Sequence, residues 1–188
     1  MFYPRNDVSA NSSIYISEYL QLLDGVIIKK FLELDKCCLL ADRYILAMIF
    51  TYFTRAQLTP HEFTPYNFFV ALHLAHDIEE DDEELKRASV IFALHGETAC
   101  NCVDNDFYQS FLRSRNILLE RMKHRALVSL GCCLKVIEMY PHHSAWLRFR
   151  AEVHAGANRG YMPKSIHGAS EVNDICWNCN KWKTVLNN

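Results

Sequence analysis

Features that mark enzymes and exported proteins are scarce in this sequence. Only six glycines are spread through its 188 residues, and none belongs to a glycine-rich loop of the kind that cradles phosphates. H-E-x-x-H and G-x-S-x-G are absent, as is any isolated cysteine with a base at motif spacing, so no convergent set of catalytic groups is legible. A non-enzymatic protein without a cofactor is expected. The opening MFYPRNDVSANSS has no apolar h-region and predicts no secretory leader. The longest apolar tract, CCLLADRYILAMIFTYF, is interrupted by Asp42 and Arg43 and falls short of a bilayer span. No Lys/Arg stripe marks a nucleic-acid surface. These absences predict a soluble intracellular protein that engages neither membrane nor nucleic acid.

Half of the residues are hydrophobic, enough for a sizeable core, and the length fits one domain. Helical periodicity runs from Ile14 through Tyr19, Leu20, Leu23, Ile27, Phe31, Leu32 and Leu34, with Asp24-Gly25 as a bend between two short helices. A helix over residues 36–55 is apolar on nearly every face and is expected to be the surrounded, central one. Thr59-Pro60-His61-Glu62 reads as a capping box, and Thr64-Pro65 as a second possible start for the helix through Phe68, Phe69 and Leu72. Residues 89–104 read as an irregular connection. Asp106 and Gln109 form a further capping signature ahead of Phe107, Phe111, Leu118 and Met122. Ser129 caps a helix that Pro141 stops, and SAWLRFRAEVH follows as a short amphipathic piece. The expectation is all-α: five to seven helices around one central helix, preceded by an arm over residues 1–13 and followed by a tail over 162–188.

Cys37/Cys38 and Cys132/Cys133 are adjacent pairs inside apolar helical segments and read as free, packed thiols. Cys176 and Cys179 form a single C-x-x-C. His154 and His167 match no standard zinc spacing with them, so no metal site is assigned. The His142-His143 pair reads as surface.

One stretch stands apart. In HDIEEDDEELK, seven of the eight positions from Asp77 to Glu84 are acidic. The rest of the chain therefore carries 20 − 15 = +5, and the acid is local. Like charges on adjacent turns repel, and at a helix C-terminus they oppose the macrodipole, each at about a few tenths of a kcal/mol. Three readings stand: a solvated face, a docking surface for a basic partner, or a metal site, the last without calcium-loop spacing. Asp42 is the second unusual acid. At helical spacing it falls among Cys38, Ile45, Leu46 and Ile49, where a carboxylate needs a partner. An internal salt bridge or cap and an interface role are both open.

DKCCLLADRYILAMIFTYFTRAQLT, NFFVALHLAHDIEEDDEE, FLRSRNILLERMKHRALVSLGCC and PHHSAWLRFRAEVHAGANRGY, in that order over residues 14–161, resemble the core of the Speedy/RINGO proteins. These are cyclin-like activators of cyclin-dependent kinases. The resemblance implies a single cyclin-box-like helical domain that binds the kinase's C-helix and activation segment, with reduced need for activating phosphorylation. It implies a nuclear, cell-cycle role and a chain that is monomeric outside the kinase complex. Asp42 matches the family's A-D-[KR]-Y motif, and Glu79, Glu80 and Asp81 its E-E-D. All four are implied to approach the activation segment, the acids standing in for a phosphate. One feature departs from the likeness: VIFALHGETACNCVDND lacks the tryptophan that relatives carry after the acidic run, whereas the C-terminal C-x-x-C echoes a family tail. The alternative is a helical interaction scaffold that keeps the fold without activating a kinase.

Overall fold

A computed structural model describes residues 12–79, 83–96 and 103–150 of the chain. Among them the fold is all-α, with no strand. The helices are α1 (Ser12–Asp24), α2 (Val26–Leu34), α3 (Arg43–Arg55), α4 (Pro65–Glu79), α5 (Glu83–His95), α6 (Asn105–Arg121) and α7 (Leu130–Met139). Short 3₁₀ turns occupy Pro60–Glu62 and Ser144–Leu147. No helix among the described residues is long and apolar enough to cross a membrane.

The centre is α3, in which every residue from Tyr44 to Phe53 is buried. It packs on α4 and α7, and α1 and the second 3₁₀ turn close its remaining sides. Such all-round burial follows from the lack of a polar face. On α1, Ile16, Tyr19, Leu20 and Leu23 share the buried stripe, and the Tyr19 hydroxyl donates to the Leu46 carbonyl at 2.8 Å, pinning α1 to α3. Gly25 stands at the bend because a Cβ there would meet the Leu22 carbonyl oxygen at 3.0 Å. Beyond it the inward residues are Ile28 and Phe31, while Ile27 is exposed.

Four phenylalanines knit α2, α4 and α5 together. Phe31 meets Phe92, Phe69 and Phe68 edge-on at 4.9, 5.2 and 6.2 Å between centroids, and Phe69 stacks on Phe92 at 5.6 Å. Aromatic contacts of this kind add about 0.5–1.5 kcal/mol each beyond the area they bury.

Several boundaries differ from those expected. The central helix begins at Arg43, not near residue 36, because Asp35 folds the chain back. Its carboxylate accepts from the amides of Leu39, Leu40 and Ala41 at 2.9, 3.2 and 2.9 Å, which holds residues 35–42 as a compact loop. Residues 89–95 are helical, as the second half of α5. Val90, Ile91 and Phe92 are buried in succession, so no narrow apolar stripe shows in the sequence. Gly96, at φ +65°, ends that helix as only glycine does without strain. The cap of α6 is Asp104 rather than Asp106. The Thr59 capping box closes a 3₁₀ turn, and α4 starts afresh at Pro65. Ser129 caps α7 as expected, accepting from the Cys132 amide at 3.3 Å.

Cys37, Cys38, Cys132 and Cys133 are free thiols. His143 is partly covered rather than plain surface: it accepts from the Ala145 amide at 3.2 Å and lies 3.3 Å from Asp24. After Leu147 the chain runs extended through Arg148. Of the expected N-terminal arm over residues 1–13, Ser12 and Ser13 belong to α1; its residues 1–11, the C-x-x-C with His154 and His167, and the last four residues of the expected amphipathic piece, after Arg150, lie outside the described residues.

Candidate functional site

The acidic run is not one helical patch. Its described acids flank the corner between two helices packed on each other, Asp77 and Glu79 closing α4 and Glu83 opening α5, so they meet helix ends of opposite polarity. Glu83 sits in the first turn of α5, where the macrodipole favours a carboxylate. Asp77 and Glu79 sit in the last turn of α4, where it does not.

Asp77 resolves that conflict by turning inward. Its carboxylate contacts Arg115 of α6, lies 3.2 Å from the Lys86 ammonium of α5 and 3.6 Å from His73 one turn earlier on α4. Its side chain is 15% exposed and that of Lys86 is 8%. Burial pushes the Asp77 carboxyl upward, but His73, Arg115 and Lys86 outweigh it and hold the group well below the usual carboxylate range. Asp77 is therefore an internal junction of three helices and is not available as a docking anion. Lys86 also reaches Glu83 at 2.5 Å, yet the Glu83 side chain remains 83% exposed. Glu79 is half-buried beside Ile78, and Glu80 and Asp81 lie outside the described residues.

Asp42 belongs to a different place. It is the N-cap of α3, with one carboxylate oxygen accepting from the Tyr44 and Ile45 amides, both at 2.9 Å. The other oxygen is 3.6 Å from Arg150 Nε, and the residue is 1% exposed. The supposed mid-helix acid is thus a helix cap with an arginine beside it. Arg150 in turn donates to the carbonyls of Leu39 and Cys38, at 2.8 and 3.3 Å. Arg148 donates to the carbonyls of Ala41, Leu32 and Asp35 at 2.7, 2.9 and 2.7 Å and to the Asp35 carboxylate at 2.9 Å. The two arginines clamp the loop that presents Asp42.

Asp42 and the acidic corner sit toward opposite ends of α3. The hydroxyl of Tyr52 is pushed up by burial first and then by the charge of Glu79. Tyr52 lies ten positions beyond Asp42, or roughly 15 Å along the helix axis. One phosphate-sized cluster cannot contain both.

Lys86, Arg115, Asp35, Arg148 and Arg150 were not singled out in the sequence, and Asp77 stood out only as the first acid of the run. The His73–Asp77 spacing of four was the single local signal; the other partners come from distant elements. Among the described residues no three His, Cys, Asp or Glu side chains converge as a metal site.

Comparison with known proteins places these features in a family. A family model described as "Spy1: Cell cycle regulatory protein" matches residues 15–150, a range that contains Asp42, Glu79, Glu80 and Asp81. The chain is 38% identical over 169 residues to Speedy protein A of Rattus norvegicus, covering 88% of this chain and 52% of that protein. It is 40% identical over 144 residues to Speedy protein C of Homo sapiens, covering 77% and 50%. It thus spans about half the length of these curated relatives.

Proposed function

Since this chain belongs to the Spy1 family of cell cycle regulatory proteins, we propose that it binds a cyclin-dependent kinase and switches it on without itself being a catalyst. The observation that carries this reading is the division of the acidic run. Asp77 is spent on holding three helices together, and the carboxylate of Glu83 projects outward from the corner so braced. A rigid mount spares a docking anion the ordering cost that a flexible acidic tail would meet on binding.

In a phosphorylated kinase, phosphothreonine carries nearly two negative charges and gathers the arginines that order the activation loop. In our reading, carboxylates of Glu79, Glu80 and Asp81, together with the outward Glu83, meet those arginines through charge-assisted hydrogen bonds. The apolar helical body presses the kinase C-helix inward and completes the Lys–Glu pair that positions ATP phosphates. Asp42, sealed at 1% exposure, contributes by fixing the start of α3 for a separate contact.

The test is the activity of an unphosphorylated cyclin-dependent kinase with and without the chain. Activity is expected to rise on addition. Charge reversal of Glu79, Glu80 and Asp81 is expected to cut the activation and weaken the salt-sensitive part of binding. A complex whose kinase activity never responds would overturn activation and leave a helical interaction scaffold.

A further inference from the structure

Residues 147–150 wear their side chains inside out. Along extended backbone, successive side chains point to opposite sides, and a surface segment ordinarily turns its charged set outward. Here Arg148 and Arg150 face the loop over residues 35–42 and spend their donors on it. The apolar pair faces out: Leu147 is 73% exposed and Phe149 38%.

Arg43 completes the outer strip. Its guanidinium carbon lies 4.3 Å from the centroid of the Phe149 ring and 4.7 Å from that of Tyr44, and Nη2 donates to the Tyr44 hydroxyl oxygen at 2.6 Å. The Arg43 amide donates to the Arg148 carbonyl at 2.9 Å, which fixes Phe149 against the guanidinium. Arg43 Nε is buried without an acceptor, so a partner can meet this guanidinium only at its Nη end, and no ion pair reaches the cation among the described residues. A planar guanidinium held against two rings is preorganised to meet a carboxylate at its Nη end. An exposed phenylalanine against a stacked arginine also matches the composition of interface centres.

We infer that Arg43, Leu147 and Phe149 form a second contact surface for the kinase partner, one that takes a partner carboxylate flanked by apolar side chains. This rests on the kinase-binding reading above. It adds a cationic contact toward one end of α3 to the anionic contact toward the other. Two contacts of opposite sign fix orientation as well as affinity, because a reversed partner would set like charges against each other.

The experiment is calorimetric titration of the full chain into an unphosphorylated cyclin-dependent kinase at low and at high salt, with thermal melts to verify folding. Arg43→Gln is expected to weaken binding roughly tenfold or more and to flatten its salt dependence. Arg43→Lys keeps the charge but loses the stacked plane, and is expected to recover only part of the loss. Leu147→Ser, at a position too exposed to matter for folding, is expected to weaken binding several-fold with the salt dependence unchanged. Wild-type affinity and salt dependence in both Arg43→Gln and Leu147→Ser would overturn the inference while leaving kinase binding intact; a strip covered by the chain's own tail would give that result. Failure of the unaltered chain to bind would remove the kinase reading and this inference together.

Discussion

Replacing Asp77 with asparagine removes the anion shared by Arg115, Lys86 and His73 while keeping the side chain's shape. Losing one partner of a buried ion pair costs about 3–5 kcal/mol, because the charges left behind are stranded. Three features lower that figure. Asp77 retains 15% exposure, Lys86 keeps Glu83 at 2.5 Å, and the amide oxygen of asparagine still accepts a hydrogen bond. About 2 kcal/mol is the resulting expectation, or roughly 4–8 °C in Tm at this chain length. The pH dependence follows from the direction of the shift. The folded carboxyl titrates below the unfolded one, whose pKa is about 3.9. Between the two values the unfolded chain binds a proton that the folded chain refuses. The stabilisation is therefore fully present above the unfolded pKa and is lost as pH falls toward the folded one. The gap between wild type and Asp77→Asn should be widest at neutral pH and should narrow below about pH 4. Urea unfolding followed by circular dichroism, at neutral pH and in acid, measures both. Equal stability at neutral pH, or a gap that persists unchanged in acid, refutes the three-helix junction. Kinase affinity, in contrast, should hardly change, because this carboxylate faces inward.

Other substitutions probe separate features. Asp42→Ala takes the acceptor from two amides and the neighbouring anion from Arg150, and should cost at least about 2 kcal/mol in thermal or urea denaturation. Lys123 is exposed at φ +55°, where glycine relieves strain but gives up chain entropy, so Lys123→Gly should raise stability by about 0.5–1 kcal/mol in the same assay. Glu62 is lowered to about 2, chiefly by its hydrogen bond from Arg121 and then by Thr59. Its carboxylate should be seen by NMR to titrate near that value. With 34% of that side chain exposed, Glu62→Gln should cost less than about 1 kcal/mol at neutral pH. That small contribution is likewise lost as pH falls from the unfolded value of about 4.3.

Some helix ends were legible because each depends on residues close in the chain. Ser129 before an apolar run and Pro141 after it bounded α7, and Asp24-Gly25 marked the bend between α1 and α2. The existence of a surrounded helix was equally plain in the unbroken apolar stretch before Arg55. Its start was not. Cys37 to Ala41 have the composition of a helix, and the carboxylate of Asp35 draws them into a loop by accepting three amides in turn. The candidate site divided in the same way. That acids were concentrated between Asp77 and Glu84 was visible at once, but that the first of them is consumed by Arg115, 38 residues away, was not.

By itself the amino-acid sequence determined an all-α chain built around one apolar helix, and a local excess of carboxylates, because periodicity and charge are properties of neighbouring residues. Only the tertiary structure decided which carboxylates are sealed and which face outward. It also decided that Arg148 and Arg150 point in while Leu147 and Phe149 point out. A buried charge persists only where distant segments bring donors to it, and that meeting is set by how the helices pack.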